Sequence, residues 1–169
     1  QANLIGNRLI NEKIDKIYSS DLSRALNTAK IIGEKLNISV TPMKEFREIK
    51  FGPWEGINNE KILEDYYDEF IIWQTEPEKL KLKGAESIKE VQLRAMKGIN
   101  KIINDEKYEN ILIVSHGVTL KTIILGLLDM SLVYFKNFTL NNVGLTIIEN
   151  RDYNRVLKLL NDTSHTKES

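Results

Sequence analysis

Ile111-Leu112-Ile113-Val114-Ser115-His116-Gly117 decides the fold: an unbroken aliphatic run ends in serine, histidine and glycine, and a second apolar segment, Val118 to Leu128, follows at once. Consecutive aliphatic residues without polar alternation suit a strand covered on both faces of a parallel sheet. The segment behind them is long enough for a helix. A strand that turns through His116 and Gly117 into a helix places an imidazole at the carboxyl end of the sheet, where open α/β proteins bind ligands. It also aims the helix's unpaired N–H groups at the same crevice, which favours an anion. Gly117 removes a side chain that would block close approach. The only other histidine, His165, lies in a polar C-terminal segment and reads as solvated.

Upstream, the same alternation repeats. Ala2 to Leu9 has helical spacing, Ile14 to Tyr18 reads as a strand, and Ser19-Ser20-Asp21 supplies candidate caps for a helix striped by Leu22, Ala25, Leu26, Ala29, Ile32 and Leu36. Ile38 to Thr41 reads as a second strand ended by Pro42, and Met43 to Gly56 as a loop. Asn59 to Trp73 reads as one acidic amphipathic helix, and Thr75 to Ala85 as another loop. Ser87 with Glu90 spells a capping box before a helix carrying Ile88, Val91, Ala95, Ile99 and Ile102 on one face. Downstream, Gly144 to Ile148 and Arg155 to Leu160 read as strands joined around Asn150-Arg151-Asp152. The pattern predicts a three-layer α/β/α fold with a mostly parallel sheet. Residues 1–162 form one domain in this reading, and 163–169 a mobile tail.

The chain has 169 residues, 41% of them hydrophobic, enough for one domain with a real core. Its 24 basic and 24 acidic residues balance, so nothing global points to nucleic acid or a membrane surface. The absence of cysteine excludes disulfides, thiolate metal sites and a cysteine nucleophile. No apolar run reaches the ~18 residues of a membrane span, and no secretion-type segment is present, so cytoplasm is the default expectation. The apolar residues of Leu127 to Phe138 suit the core first and a homodimer contact second.

Three groups are candidates for chemistry. His116 is either a ligand-binding histidine or one satisfied within a structural turn. Arg24 falls in the first turn of a helix that follows a strand, the same topological place as His116. A guanidinium there grips phosphate with two hydrogen bonds; the bland alternative is a solvated arginine. The stretch Phe46-Arg47-Glu48-Ile49-Lys50-Phe51-Gly52-Pro53-Trp54-Glu55-Gly56 is a candidate site loop. Its aromatics read as structural. Either Glu48 or Glu55 qualifies as a general acid, through apolar rings that help a carboxyl keep its proton. Gly84-Ala85-Glu86-Ser87 reads only as a helix entry.

Together the segments Tyr18-Ser19-Ser20-Asp21-Leu22-Ser23-Arg24-Ala25, Phe46-Arg47-Glu48, Phe51-Gly52-Pro53-Trp54-Glu55-Gly56, Gly84-Ala85-Glu86-Ser87, Val114-Ser115-His116-Gly117 and Leu160-Asn161-Asp162-Thr163-Ser164-His165 resemble the histidine phosphatase, or phosphoglycerate mutase-like, superfamily in order and spacing. The resemblance implies a phosphomonoesterase acting on a small phosphorylated metabolite through a phosphohistidine, most like broad-specificity and α-ribazole phosphatases. It implies Arg24, His116 and Gly117 in the phosphate pocket, a cationic His116 steadying the phosphoryl group, Glu48 as proton donor, and no metal or cofactor. The family's nucleophilic histidine sits in an Arg-His-Gly segment at the end of a central first strand, and no Arg-His-Gly occurs here. The expectation is that this segment lies upstream of Gln1, that residues 1–169 alone are inactive, and that without it the sheet shows an unpaired edge and a groove in the core. Mutase-type transfer and a noncatalytic phosphate-binding module are the alternatives. A nucleotide-binding reading lacks both the glycine-rich fingerprint and a phosphate loop.

Overall fold

The computed structural model describes residues 1–104 and 108–166. Helix α1 (Ala2–Leu9) precedes β1 (Lys16–Ser20), α2 (Ser23–Leu36) and β2 (Val40–Met43). Two 3-10 turns (Lys44–Phe46 and Gly52–Trp54), α3 (Asn59–Asp65), α4 (Tyr67–Thr75) and α5 (Ile88–Ile103) follow. The chain continues through β3 (Ile111–Val114), α6 (Gly117–Leu127), β4 (Leu145–Asn150) and β5 (Arg155–Asp162). A parallel sheet of order β2-β1-β3 and an antiparallel β4-β5 pair make up the strands.

Side-chain alternation along the strands builds the three layers. Ile17, Val40, Leu112 and Val114 pack with α1 and α2 through Ile5, Leu9, Ala29 and Ile32. Their neighbours Tyr18, Met43, Ile111 and Ile113 pack on the other side with Phe46, α5 and α6, through Ala95, Ile99, Ile102 and Ile123.

Several elements differ from the sequence reading. Ser19 and Ser20 are buried strand residues, not caps, because parallel pairing (Ser19 with Val114, Ser20 with Met43) extends β1 past Tyr18. Helix α2 then starts after Leu22 with no side-chain cap. Pro42 lies inside β2 rather than ending a strand; β2 is an edge, where a missing N–H is tolerated. The expected single helix over 59–73 breaks at Tyr66 (φ −138°, ψ 44°), giving α3 and α4. The capping box is present as read: Glu90 N–H donates to Ser87 Oγ, and Ser87 N–H donates to the Glu90 carboxylate.

β3 has the residues expected, but all of them are only half-buried. Among the described residues it pairs with β1 alone, and β4 with β5 alone. An apolar trough lies between β3 and β4, lined by Ile111 to Val114, Ile123, Ile124, Leu127, Leu145 and Ile148.

The supposed tail is packed as far as it is described. Ser164–Thr166 form a 3-10 turn against α1, and a His165 ring nitrogen bonds the Val143 carbonyl at 3.0 Å, so His165 is half-buried rather than solvated. Residues 167–169 of that reading lie outside the described residues. In Leu127 to Phe138, Phe135 is buried and Leu127, Leu132 and Phe138 pack on the core, while Met130, Val133 and Tyr134 are exposed. No described helix is long and apolar enough to cross a membrane.

Candidate active site

β1 and β3 are neighbours, so the turns that follow them lie side by side. This brings Arg24, from the first turn of α2, to His116, which precedes α6, although 92 residues separate them. Arg24, Glu48, Ser115, His116 and Gly117 line the polar end of a cavity of about 700 Å³ whose apolar body is the trough beside β3. A Cβ on Gly117 would meet no atom within 4 Å, so the space left by the missing side chain is open.

His116 is 6% exposed, and both its ring nitrogens are engaged. Arg24 Nε donates to Nδ1 at 3.0 Å. Nδ1 therefore carries no proton, and the Nε2–H of the neutral ring faces Ser20 Oγ at 2.8 Å. Ser20 Oγ also accepts from the Leu22 N–H, which leaves it in place as the acceptor for the ring. With this pairing the imidazole is neutral, because a guanidinium N–H can point only at an unprotonated nitrogen. Burial pushes its pKa below the ordinary 6.5; the charge of Glu48 opposes this, and those of Arg24 and Arg94 reinforce it.

That direction fixes a pH effect on stability. Between the lowered folded value and 6.5, the unfolded chain binds more protons than the folded one, so stability falls as pH drops through that window. Urea unfolding from pH 7 to pH 5 should show the fall, and His116→Gln should remove part of it. An unchanged pH slope in that variant would assign the effect to other groups.

Glu48, not Glu55, reaches the cavity. Its carboxylate sits at the start of α6. Oε1 accepts from the backbone N–H groups of Ile49 and Thr119 and lies 3.2 Å from Thr119 Oγ1, whose proton goes to the nearer Arg47 carbonyl; among the described residues Oε2 accepts one long bond, 3.3 Å from Val118 N. A carboxylate is well placed against the positive end of a helix. Glu55 instead accepts from Gly52 N–H at the loop's outer turn. The aromatics of that loop are structural, as read: Phe51 meets the edge of Trp73, and Trp54 packs with Ile62 and Leu80. Gly52 has φ 58°, and a Cβ there would sit 2.7 Å from the Gly84 backbone, which explains the glycine at this crossing.

Four residues that sequence reasoning left out complete the site. Ser20 holds the ring of His116, and Asp21 grips Arg47 with two bonds of 2.7 Å, joining the turn after β1 to the Glu48 loop. The Arg47 hydrogen bond and charge hold the Asp21 carboxyl below its usual value. Arg94 and Glu86 hold the loop from the other side. A signal for Glu86 was available, since the capping box uses Ser87 and Glu90 and leaves the acid before them without a task. Among the described residues no group of three or more histidine, aspartate or glutamate side chains clusters as metal ligands do.

Guanidinium, imidazole and helix N-terminus meet at the carboxyl ends of adjacent parallel strands, a setting that suits an anion. The chain belongs to the histidine phosphatase superfamily (branch 1), whose sequence model matches residues 1–163. It is 32% identical over 168 residues to phosphoserine phosphatase 1 of Hydrogenobacter thermophilus, spanning 99% of this chain and 80% of that protein. It is 24% identical over 161 residues to the adenosylcobalamin/α-ribazole phosphatase of Salmonella typhimurium, spanning 95% and 80%. The solved structure of Bacillus stearothermophilus YhfR superimposes with a TM-score of 0.92 at 29% identity, covering 98% of this chain and 83% of that one.

Proposed function

We propose that this protein hydrolyses a small phosphomonoester through a phosphohistidine, with Arg24 and His116 binding the phosphoryl group and Glu48 serving the leaving group. The observation that carries the reading is the convergence of Arg24, Glu48, His116 and Gly117 on one cavity. Phosphoryl transfer needs an in-line nucleophile and neutralisation of charge spread over the equatorial oxygens. Arg24 supplies a fixed cation. His116 keeps its Nε2–H on Ser20 Oγ; Nδ1 becomes the donor to the phosphoryl group by taking a proton from the substrate monoanion or solvent once Arg24 Nε turns to a phosphate oxygen. Glu48 enters the step protonated at Oε2, the less engaged oxygen; it gives that proton to the departing alkoxide, and the carboxylate so formed takes one back from the attacking water.

In this reading the nucleophile is a histidine outside the 169 residues, at the end of a strand seated in the trough between β3 and β4. A strand parallel to β3 in that place would end beside Arg24 and His116. The segment from Gly56 to Gly84 holds only α3, α4 and a 3-10 turn, which supports hydrolysis over transfer to a second phosphate. Relatives named as phosphoserine and α-ribazole phosphatases support a small phosphorylated metabolite as the substrate.

The test uses the full-length protein, a panel of alkyl and aryl phosphates, and acid quenching to trap labelled phosphoenzyme. Acid-labile label on a histidine is expected; stable label, or none, would remove the covalent step. Glu48→Gln should lower kcat/KM, which reports the phosphorylation step alone, about 10²-fold with alkyl phosphates, the usual worth of a general acid, and much less with p-nitrophenyl phosphate, whose leaving group needs no proton. Residues 1–169 alone should show no turnover, and hydrolysis by them would overturn the placement of the nucleophile.

A further inference from the structure

We infer that Arg94, held by Glu86, is the positioning residue for Glu48; the inference rests on the assignment of Glu48 as proton donor. The loop around Glu48 has no strand or long helix to absorb its backbone groups, so each carbonyl needs another partner. The guanidinium of Arg94 supplies most of them. Nη1 donates to the carbonyls of Glu45 (2.9 Å) and Arg47 (2.7 Å), and Nη2 to that of Glu48 (3.1 Å). Nε and Nη2 donate to the two carboxylate oxygens of Glu86 at 2.8 and 3.0 Å. These five bonds use all the N–H groups a guanidinium has.

Glu86 closes the far end of the same loop. Its carboxylate accepts from Lys50 N–H at 2.9 Å, and its own N–H donates to the Lys50 carbonyl at 2.8 Å. Burial pushes the Glu86 carboxyl up, but the Arg94 and Lys50 hydrogen bonds and the Arg94 charge outweigh it and hold the group below its usual value. The chain is therefore clamped on both sides of Glu48, at Glu45 to Glu48 by Arg94 and at Lys50 by Glu86. On the opposite side, Ser115 Oγ donates to the Phe46 carbonyl and Thr119 Oγ1 to that of Arg47. Helix α5, rigid and buried along Val91, Ala95 and Ile99, thus sets the height of the Glu48 carboxyl over the phosphate pocket without touching substrate.

Lysine cannot replace this arginine, since a single ammonium cannot span three carbonyls and a carboxylate. In the full-length protein, Arg94→Lys should lower kcat/KM with alkyl phosphates about 10- to 100-fold, as expected for a displaced catalytic group. The kcat/KM for p-nitrophenyl phosphate and inhibition by inorganic phosphate should change little. Glu86→Gln, which keeps shape and half the acceptors, should give a smaller loss with the same selectivity, and it serves as the readout should Arg94→Lys fold poorly. Uniform losses across leaving groups in both variants, beside a selective loss in Glu48→Gln, would overturn the positioning role alone. A uniform loss in Glu48→Gln as well would instead overturn the assignment of Glu48.

Discussion

Arg24→Ala is expected to lower kcat/KM for phosphomonoesters about 10³-fold, the lower end of what a single arginine on a transferring phosphoryl group is worth. Two losses combine. The first is the planar fork: Arg24 lines the cavity, and its Nη groups make no hydrogen bond among the described residues, so they are the groups available to phosphate oxygens. The second is the bond from Nε to His116 Nδ1, which fixes the tautomer and tilt of the imidazole. Arg24→Lys should recover little, since an ammonium supplies charge without the second, coplanar donor. His116→Ala should fall in the same range, and the double variant should lose less than the two single losses combined, because both groups act on one oxyanion. Steady-state kinetics on the full-length protein, with vanadate or phosphate as competitive ligand, would decide it. A loss of less than tenfold in Arg24→Ala would mean that phosphate binds elsewhere.

Features that rest on a single local pattern were legible in the sequence. Ile111 to Val114, the turn at His116 and the capping box at Ser87 are each encoded within a few residues, and their structure follows from strand, turn and cap chemistry. Arg24 could be placed because the strand before it and the helix after it are both periodic. Features set by partners distant in the chain were less legible. Ser19 and Ser20 have the composition of helix caps, and only pairing with β2 and β3 draws them into the sheet. The neutral state of His116 depends on which atom of Arg24 faces it, which spacing cannot specify. Nearby rings could not separate Glu48 from Glu55; what holds the Glu48 carboxylate is the N-terminus of a helix that begins some 70 residues later. Arg94 lies on the polar side of a well-read amphipathic helix, where nothing local separates a loop clamp from a solvated cation.

The dependence of the site on its loop implies that a purely apolar substitution will reach the chemistry. Phe46→Ala should destabilise the fold by about 3–5 kcal/mol, the cost of emptying a buried aromatic site. Phe46 is fully buried among Ala95, Ile99, Ile102 and Ile123, at the junction of α5, α6 and the sheet. Its ring lies so close to α5 that a Cβ on Gly98 would come within 3.0 Å of it, so the surrounding helices have little freedom to close the void. With about 2–4 °C per kcal/mol for a domain of this size, the melting temperature should fall by roughly 10 °C. The carbonyl of Phe46 accepts from Ser115 Oγ, beside His116, and Glu48 is two residues further on. Activity measured well below the new melting temperature should therefore fall most for substrates with poor leaving groups, as Glu48 loses its fixed height. Phe46→Leu, which keeps most of the volume, should retain that selectivity and cost less than about 1.5 kcal/mol. Denaturant unfolding of both variants, run beside the leaving-group series, separates the two effects. A loss under about 1 kcal/mol in Phe46→Ala would mean that the Glu48 loop is not anchored through this ring.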